Sequence, residues 1–245
     1  MNLKDYQNQV KQVKDKLEKA NTVTVLTGSG LSADSGIPTF RGKDGLWKEY
    51  RAEELATPEA FSKNPCLVWE WYDWRRGIIA AREPSAGHYI IAELEKLFTR
   101  FHLITQNVDG LHEKAGSTNP IEIHGNIWKV RCTRCHRISF DFDVPIHILP
   151  TCKECGGLLR PHIIWFGEQL DDIDMEKSYA AVENSDVLLV IGTSGIVHPA
   201  ASFAGIAKRR GAYLVEINLE KTPISEEMDI TILGKAKDIL PLLIQ

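Results

Sequence analysis

The sequence contains no run of about twenty apolar residues, the length that a membrane-spanning helix requires. Its first residues mix lysine, aspartate, glutamine and glutamate with few apolar side chains, so they do not form the apolar core of a signal peptide. We therefore expect no membrane contact and a cytoplasmic location. An excess of positive charge is also missing, because the formal net charge is −4, and a nucleic-acid partner is not expected.

Internal repeats, low-complexity tracts and long polar linkers are absent as well, so the composition does not divide the chain into several large domains. With 245 residues, of which 43% are hydrophobic, the chain is long enough for one large α/β domain with small inserted modules. The sequence leaves the oligomeric state open, and a monomer is compatible with it.

Cysteine is scarce, with five in the chain, but four of the five form two C-x2-C pairs separated by residues 136–151. In a reducing compartment this spacing favours a zinc ribbon over disulfides. The four ligands would be Cys132, Cys135, Cys152 and Cys155. Four thiolates leave no open coordination position, so we expect one structural Zn²⁺. The remaining Cys66 is predicted to be a small buried hydrophobic residue.

Short apolar runs alternate with helical patterns along the chain, at residues 22–26, 101–105, 186–191, 212–217 and 229–233. Strands that are apolar on both faces predict a parallel sheet with helices on each side, which is a Rossmann-like, doubly wound α/β fold. Residues 4–19 predict an amphipathic helix with Val10, Val13 and Leu17 on its apolar side. In such sheets the ligand lies beyond the carboxyl ends of the strands.

Two stretches interrupt this alternation and predict inserted modules within one domain spanning residues 1–245. The Rossmann-like part would comprise residues 1–37, 85–124 and 162–245. A tryptophan-rich helical module would occupy residues 38–84, and a zinc-ribbon module residues 125–161.

A glycine-rich segment follows the first predicted strand. Residues 28–33 fit the pattern G-x-G-x-x-G/A, whose backbone N–H groups can face a pyrophosphate, although a tight turn that happens to use glycine is an alternative. Residues 36–42 form a turn-rich loop where a dehydrogenase needs its second strand and a ribose-binding carboxylate. A hydride-transfer enzyme is therefore not expected.

Several motifs occur in one order along the chain: residues 28–42, T-Q-N-V-D-G-L-H at 105–112, I-H-G at 123–125, the four cysteines, F-G-E at 166–168, G-T-S at 192–194 and V-E-I-N at 215–218. Together they resemble the sirtuin family of NAD-dependent protein-lysine deacylases over nearly the whole chain beyond the first helix. Ser29 departs from the family's usual alanine, but serine is only slightly larger, so we expect the loop to be kept.

His124 follows an apolar segment and precedes Gly125, so its imidazole is expected at a strand end near the ligand. The resemblance implies that His124 is the catalytic base and that Asn107 positions the ribose or an attacking water. It implies that the acyl oxygen of a modified lysine attacks the nicotinamide ribose of NAD, and that nicotinamide, free lysine and 2′-O-acyl-ADP-ribose are released. The alternative for Asn107 and Asp109 is a purely structural role in an Asx-type turn.

The resemblance also implies the set of residues that contact NAD. They are Gly28, Ser29, Gly30, Ser32, Ala33, Ile37, Pro38, Phe40, Arg41, Trp47, Gln106, Asn107, Val108, Asp109, Gly192, Thr193, Ser194, Asn218, Leu219, Glu220 and Ala236. Within this set, Asp109 and Ile37 would contact the nicotinamide carboxamide.

An acyl pocket is predicted in the helical module. Tyr72 and Arg75 lie three residues apart, hence on one helix face, beside an apolar stripe of Leu67, Trp71, Trp74 and Ile78 that is expected to be core. An arginine can hold a carboxylate through two parallel N–H bonds and a tyrosine hydroxyl can add a third. The alternative is an ordinary surface arginine, as expected for Arg76.

Together with the small Ala56, this pair resembles the sirtuin branch that removes succinyl, malonyl and glutaryl groups. Acyl-lysine proteins or peptides are therefore the expected partners. The substrate backbone is expected to extend along Ile164, Trp165, Phe166 and Gly167 on one side and Val197 on the other. Two other functions stay open: a mono-ADP-ribosyltransferase that uses the same pocket, and a non-enzymatic nucleotide- or nucleic-acid-binding zinc module supported by Lys129, Arg131, Arg134, His136 and Arg137.

Overall fold

The structure is a computed structural model that describes residues 3–39, 46–47 and 50–244, with side chains described for residues 6–39 and 51–244. The strands are β1 (Thr22–Thr27), β2 (Leu46–Trp47), β3 (Tyr50–Arg51), β4 (Arg100–Thr105), β5 (Ile121–Glu122), β6 (Gly125–Cys132), β7 (Ile138–Phe140), β8 (Leu159–Ile163), β9 (Val187–Ile191), β10 (Tyr213–Asn218) and β11 (Ile230–Leu233). The α-helices are α1 (Leu3–Leu17), α2 (Ser29–Ala33), α3 (Ala52–Leu55), α4 (Pro58–Lys63), α5 (Pro65–Ala80), α6 (Ala86–Leu97), α7 (Leu111–Lys114), α8 (Asp172–Glu183), α9 (Phe203–Arg209) and α10 (Ala236–Ile239). Short 3-10 turns span Ala200–Ser202, Ser225–Glu227 and Leu240–Leu243.

Six strands pair in parallel in the order β11-β10-β9-β1-β4-β5. Alternate residues of the central strands pack against the helices on the two opposite faces of the sheet. In β9, Leu189 packs on the face covered by α1 and α6, and Leu188 packs on the face covered by α8 and α9. The predicted doubly wound sheet is therefore confirmed, and its apolar runs are strands because both of their faces are buried.

The predicted N-terminal helix is also confirmed, as α1, with Val10, Val13 and Leu17 buried against the sheet. Lys11, Asp15 and Lys16 are exposed, as expected for the polar side of an amphipathic helix. Among the residues that the structure describes, no helix combines the length and the apolar character needed to cross a membrane.

A second hydrophobic core lies between helices α3–α5 and an antiparallel sheet of order β7-β6-β8. Val68 and Trp69 of α5 pack there with Ile127 and Val130 of β6. The helical segment and the cysteine segment thus bury their apolar side chains against each other. On this packing we propose the predicted division of the single domain, with residues 38–84 and 125–161 as its inserted modules.

Two predictions about individual side chains of the helical segment are wrong. The predicted stripe is confirmed at Trp71, which is buried, and is wrong at Trp74, which is 38% exposed. The rest of the buried face of α5 includes Trp69, Tyr72 and Arg76. The reason is that α5 contacts both β6 and β8, so its buried face follows those two strands and is displaced from the stripe that the sequence suggested. Cys66 is exposed in the first turn of α5, ahead of the buried face.

Arg76 is the third departure, because the expected surface arginine is 0% exposed. Its Nη1 donates to Asp141 Oδ1 at 2.8 Å and its Nε donates to the Ile127 carbonyl at 3.0 Å. The guanidinium centre lies 5.8 Å from the ring centre of Trp69 and 5.6 Å from that of Trp128. Arg76 therefore ties α5 to the zinc segment through a buried ion pair.

Replacing Arg76 with methionine should lower the free energy of unfolding by about 3 kcal/mol, because the substitution leaves Asp141 and a buried carbonyl without their donor. Urea unfolding of wild type and variant measures the loss. Arg137→Met is the matched control, since Arg137 pairs with Glu154 in solvent and its removal should change stability by less than about 0.5 kcal/mol. Equal losses in both variants would contradict the assignment.

Candidate active site

The predicted ligand-binding residues follow the carboxyl ends of neighbouring parallel strands, and hydrogen bonds join them. Asn107, after β4, donates from Nδ2 to the Gly28 carbonyl at 3.0 Å. Gln106 Nε2 donates to Thr193 Oγ1 at 2.9 Å, and Asn218 Nδ2 donates to the Thr193 carbonyl at 2.8 Å. The loops after β1, β4, β9 and β10 are thus brought together at the carboxyl ends of the strands, as the sequence predicts.

The glycines of the first loop allow it to pack closely against the loop after β9. A Cβ on Gly28 or Gly30 would lie 2.8 Å from the Gly192 carbonyl oxygen, and a Cβ on Gly192, whose φ is +60°, would lie 2.6 Å from the Leu31 nitrogen. Gly28 N donates to the Ile191 carbonyl and Gly30 N to the Gly192 carbonyl. These glycines let the two loops touch, and the N–H groups of Gly28 and Gly30 are bonded to protein carbonyls. The contact of residues 28–33 with a pyrophosphate stays a prediction.

Asp109 is buried at the bottom of the site with both carboxylate oxygens bonded. Oδ2 accepts from Ser32 Oγ at 2.6 Å, and Oδ1 accepts from the Leu111 N–H at 2.9 Å. The bond from the Leu111 N–H forms the Asx turn that was the structural alternative for Asp109. The bond from Ser32 links Asp109 to the glycine loop. Burial raises the pKa of the Asp109 carboxyl, while the bonds from Ser32 and Leu111 and the charge of Arg75 act against that rise.

His124 is half-buried between β5 and β6, and its Nδ1 lies 3.1 Å from the Gln106 carbonyl oxygen. A carbonyl oxygen only accepts, so Nδ1 carries the hydrogen and Nε2 keeps the lone pair of the neutral ring. Burial lowers the pKa of the His124 imidazole below its ordinary value, and the bond to Gln106 partly offsets this. The ring is therefore neutral at pH 7 and can take up a proton at Nε2.

The backbone after His124 fixes its position. Gly125 has φ +80°, and a Cβ there would lie 2.2 Å from the His162 carbonyl oxygen, so only glycine fits where β6 passes β8. The His124 carbonyl accepts from the Ile164 N–H at 3.0 Å. The imidazole thus lies where the parallel sheet meets the antiparallel one.

A buried polar layer under these loops was not predicted. Thr27 and Thr105 are paired across β1 and β4, and Thr27 Oγ1 donates to Thr105 Oγ1 at 2.8 Å. His112 Nε2 lies 2.9 Å from Thr27 Oγ1, and the Asn107 N–H donates to Thr105 Oγ1 at 3.0 Å. The sequence signal for this layer was a threonine at the carboxyl end of each of two neighbouring strands. Through the bond to Thr105, the layer holds the backbone of Asn107 in place.

His88 adjoins the same layer, with its ring centre 5.0 Å from that of His112. Its Nδ1 accepts from the Ser85 N–H at 3.2 Å, so the ring hydrogen is on Nε2, and within the described residues that nitrogen has no partner. Burial holds the pKa of His88 at about 4 and that of His112 well below its ordinary value. Both rings are neutral in the folded protein.

The predicted acyl-pocket residues lie close together, but more deeply than expected. Tyr72 is 1% exposed, and its hydroxyl accepts from Trp165 Nε1 at 2.8 Å. Arg75 is half-buried, with its guanidinium centre 5.1 Å from the Trp71 ring centre, and it interacts electrostatically with both Tyr72 and Asp109. Burial raises the pKa of the Tyr72 hydroxyl to about 12. The charge of Arg75 thus acts both on Tyr72 in the predicted acyl pocket and on Asp109 in a strand-end loop.

The segment predicted to hold the substrate backbone begins directly after β8. The Phe166 N–H donates to the carbonyl of the buried Ala56 at 2.9 Å, while the Phe166 side chain is exposed. The Trp165 side chain is buried in the second core. Ile164 and Val197 are half-buried, and Gly167 is exposed.

The other predicted contacts differ in exposure. Val108 and Ala236 are buried, Ile37 is half-buried against the second core, and Leu219 and Glu220 are exposed beyond β10. The remaining predicted residues fall into two groups. Ser29 and Ser194 are half-buried and Ala33 and Pro38 exposed, whereas Phe40, Arg41 and the Trp47 side chain lie outside the described residues.

The four cysteine sulfurs lie within 4.8 Å of one another. Cys132 and Cys155 sulfurs are 3.5 Å apart, and those of Cys135 and Cys152 are 3.8 Å apart. A zinc–sulfur distance of about 2.3 Å requires tetrahedral edges of about 3.8 Å, so the cluster fits Zn²⁺. The metal would join the β6–β7 hairpin to the segment before β8.

Comparison with known proteins adds to this geometry. The model of the Sir2 family matches residues 28–199. The NAD-dependent protein deacylase of Aquifex aeolicus (strain VF5) is 53% identical over 221 residues, which cover 90% of this chain and 92% of the relative. The crystal structure of a Sir2 homolog–NAD complex has 46% sequence identity and a TM-score of 0.90, covering 95% of this chain and 92% of that one. A mutant Sir2 homologue in complex with 2′-O-acetyl ADP ribose has 45% identity and a TM-score of 0.87, covering 99% and 95%.

Lowering the pH from 7 to 5 should reduce the free energy of unfolding by about 2 kcal/mol through His88 alone. The unfolded chain takes up a proton near pKa 6.5, whereas the folded protein does so only near pKa 4, so stability is lost as the pH falls through this window. Urea unfolding at both pH values measures the effect. His88→Gln should show a correspondingly smaller loss, His147→Gln, which replaces an exposed imidazole, should behave as wild type, and an unchanged loss in His88→Gln would contradict the burial argument.

Proposed function

The chain belongs to the Sir2 family, and from this membership we propose that it is an NAD-dependent protein-lysine deacylase with a preference for succinyl and malonyl groups. The name of the Aquifex relative and the NAD and 2′-O-acetyl ADP ribose bound to solved relatives support the reaction class. The single observation that carries the proposal is the neutral His124 ring, with Nε2 available, beside loops joined at the strand ends. A cytoplasmic location stays a prediction.

NAD, when bound, supplies the ribose that receives the acyl group and the nicotinamide that leaves. We assign to His124 the removal of a proton from a ribose hydroxyl through Nε2. The Gln106 carbonyl accepts the hydrogen bond from Nδ1 and stabilises the imidazolium that results. This step requires a ring that is neutral before the reaction, and burial of His124 supplies it.

Asn107 and Asp109 have the rigidity that a positioning role requires. Asn107 Nδ2 donates to both Gly28 O and Ser32 Oγ at 3.0 Å, so its amide oxygen is directed by two bonds. Ser32 in turn donates to Asp109. We propose that Asn107 orients the ribose or a water molecule and that Asp109, with Ile37, contacts the nicotinamide carboxamide.

The acidic acyl preference rests on Arg75 and Tyr72. Because the pKa of Tyr72 is about 12, its hydroxyl is protonated at physiological pH and can donate to a carboxylate. Arg75 adds the positive charge, and we propose that the acyl chain reaches from α5 toward the nicotinamide end of NAD. An acetyl group offers no terminal carboxylate to either side chain.

The nucleic-acid alternative has little support in the zinc segment. Lys129 pairs with Glu122 at 2.6 Å, Arg137 with Glu154 at 3.0 Å, and Arg131 lies 3.9 Å from Glu168. Carboxylates next to these cations reduce the positive field that a phosphate backbone needs. We therefore propose acyl-lysine proteins or peptides as partners, with a structural zinc that holds the segment together.

Replacing His124 with tyrosine should leave a folded protein that still binds NAD but has little deacylase activity, because the proton acceptor is lost. Product formation from acyl-lysine peptides, followed by mass spectrometry, and NAD binding by calorimetry measure the two properties. His147→Tyr serves as the control at an exposed position. Near wild-type turnover in His124→Tyr would remove the base assignment, and ADP-ribose found on protein instead of acyl product would favour mono-ADP-ribosyl transfer.

Replacing Arg75 with methionine should reduce kcat/KM for succinyl-lysine peptides by about 100-fold, because charge-assisted hydrogen bonds to the carboxylate are lost. Activity on acetyl-lysine peptides should be kept or improved. Arg100→Met is the control, since Arg100 lies at the amino-terminal end of β4, whereas the site lies at the carboxyl ends of the strands. Equal losses on succinyl and acetyl peptides would count against the acidic pocket.

A further inference from the structure

The hydrogen bond between Trp165 and Tyr72 determines which way the tyrosine hydroxyl can act. An indole N–H only donates, so the Tyr72 oxygen accepts from Trp165 Nε1 at 2.8 Å. Within the described part of the chain this is the one hydrogen bond of the Tyr72 hydroxyl. The phenolic hydrogen therefore has no acceptor there although Tyr72 is almost completely buried. A buried donor that has no acceptor among the described residues is suited to an acceptor on a bound ligand.

Trp165 is itself held firmly. The Arg160 guanidinium centre lies 3.4 Å from the Trp165 ring centre, and Phe61 packs with its ring centre at 5.2 Å. The backbone N–H of Trp165 donates to Glu168 Oε2 at 2.8 Å, and Glu168 also accepts from Arg160 through Nη1 at 2.5 Å and Nη2 at 2.8 Å. The indole therefore has little freedom to turn away from Tyr72.

We propose that Trp165 is a positioning residue for acyl selectivity, because its indole N–H occupies the acceptor side of the Tyr72 hydroxyl and directs the phenolic hydrogen toward the acyl carboxylate. The inference rests on the proposed function of Tyr72 and Arg75. It assigns the Trp165 side chain a role different from lining the peptide path, since the ring is 2% exposed and acts through Tyr72.

Two physical effects support this role. A hydroxyl that already accepts one hydrogen bond is a stronger donor in the next, because the bonds of a chain polarise one another. A fixed direction also avoids the entropy that a freely turning hydroxyl loses when the ligand binds. Both effects apply only to an acyl group that carries an acceptor at its end, so succinyl and acetyl substrates should respond differently.

The test compares Trp165→Phe with Trp69→Phe. Trp69 is a matched control because it belongs to the same hydrophobic core, is fully buried and donates its indole N–H to the Leu159 carbonyl at 2.9 Å. Trp165→Phe should lower the ratio of kcat/KM for a succinyl-lysine peptide to kcat/KM for the acetyl-lysine peptide by about tenfold, mainly through KM for the succinyl-lysine peptide. Trp69→Phe should leave the ratio of the two substrates unchanged.

A double-mutant cycle with Tyr72→Phe separates positioning from general packing. In the Tyr72→Phe background, Trp165→Phe should have no further effect on the succinyl-to-acetyl ratio, because the group that it positions is already absent. A second loss of the same size in that background would overturn the proposal.

A spectroscopic measurement on the zinc-loaded protein with Trp165 intact covers the case in which Trp165→Phe does not fold. The Trp165 indole N–H resonance should shift in Tyr72→Phe, and in wild type it should shift more with bound succinyl-lysine peptide than with acetyl-lysine peptide. A resonance that responds to neither change overturns the proposal. A wild-type enzyme without succinyl preference contradicts the proposed function itself, whereas a preference that persists in Trp165→Phe contradicts only the role of Trp165.

Discussion

Contact between two glycine turns is the constraint on which the site depends. The loops after β1 and β9 approach so closely that Gly28, Gly30 and Gly192 have no room for a side chain. This contact fixes the Gly28 carbonyl, which receives Asn107, and it fixes the loop that carries Thr193, which receives Gln106 and Asn218. The residues of four loops therefore derive their positions from one steric requirement at the centre of the sheet.

Burial is the common cause of the protonation states in the site. It lowers the pKa of His124, raises that of Tyr72 and raises that of Asp109. In each case the low-polarity surroundings disfavour the charged form, and one or two directed hydrogen bonds oppose them. Burial is thus the largest cause both of the neutral His124 imidazole and of the protonated Tyr72 hydroxyl.

The sheet and the metal cluster could be predicted from sequence because each has a strong local signal. Runs apolar on both faces predicted β1, β9 and β10, and the spacing of two C-x2-C pairs predicted the cysteine cluster. The exposure of Trp74 and Cys66 and the burial of Arg76 could not be predicted, since they depend on which strands α5 contacts. The His88–His112 pair and the Trp165–Tyr72 bond join residues far apart in sequence, where periodicity carries no information.

The separation of the second core from the parallel sheet has a consequence for how such a protein can diversify. The strand-end loops rest on the parallel sheet, whereas Tyr72 and Trp165 belong to the core shared by α5 and the cysteine segment. Substitutions in that second core can reshape the proposed acyl pocket while the strand-end loops keep their geometry, because His124 and Gly125 lie at the junction between the two. Natural variation can therefore alter which lysine modification is recognised without having to rebuild the chemistry that removes it.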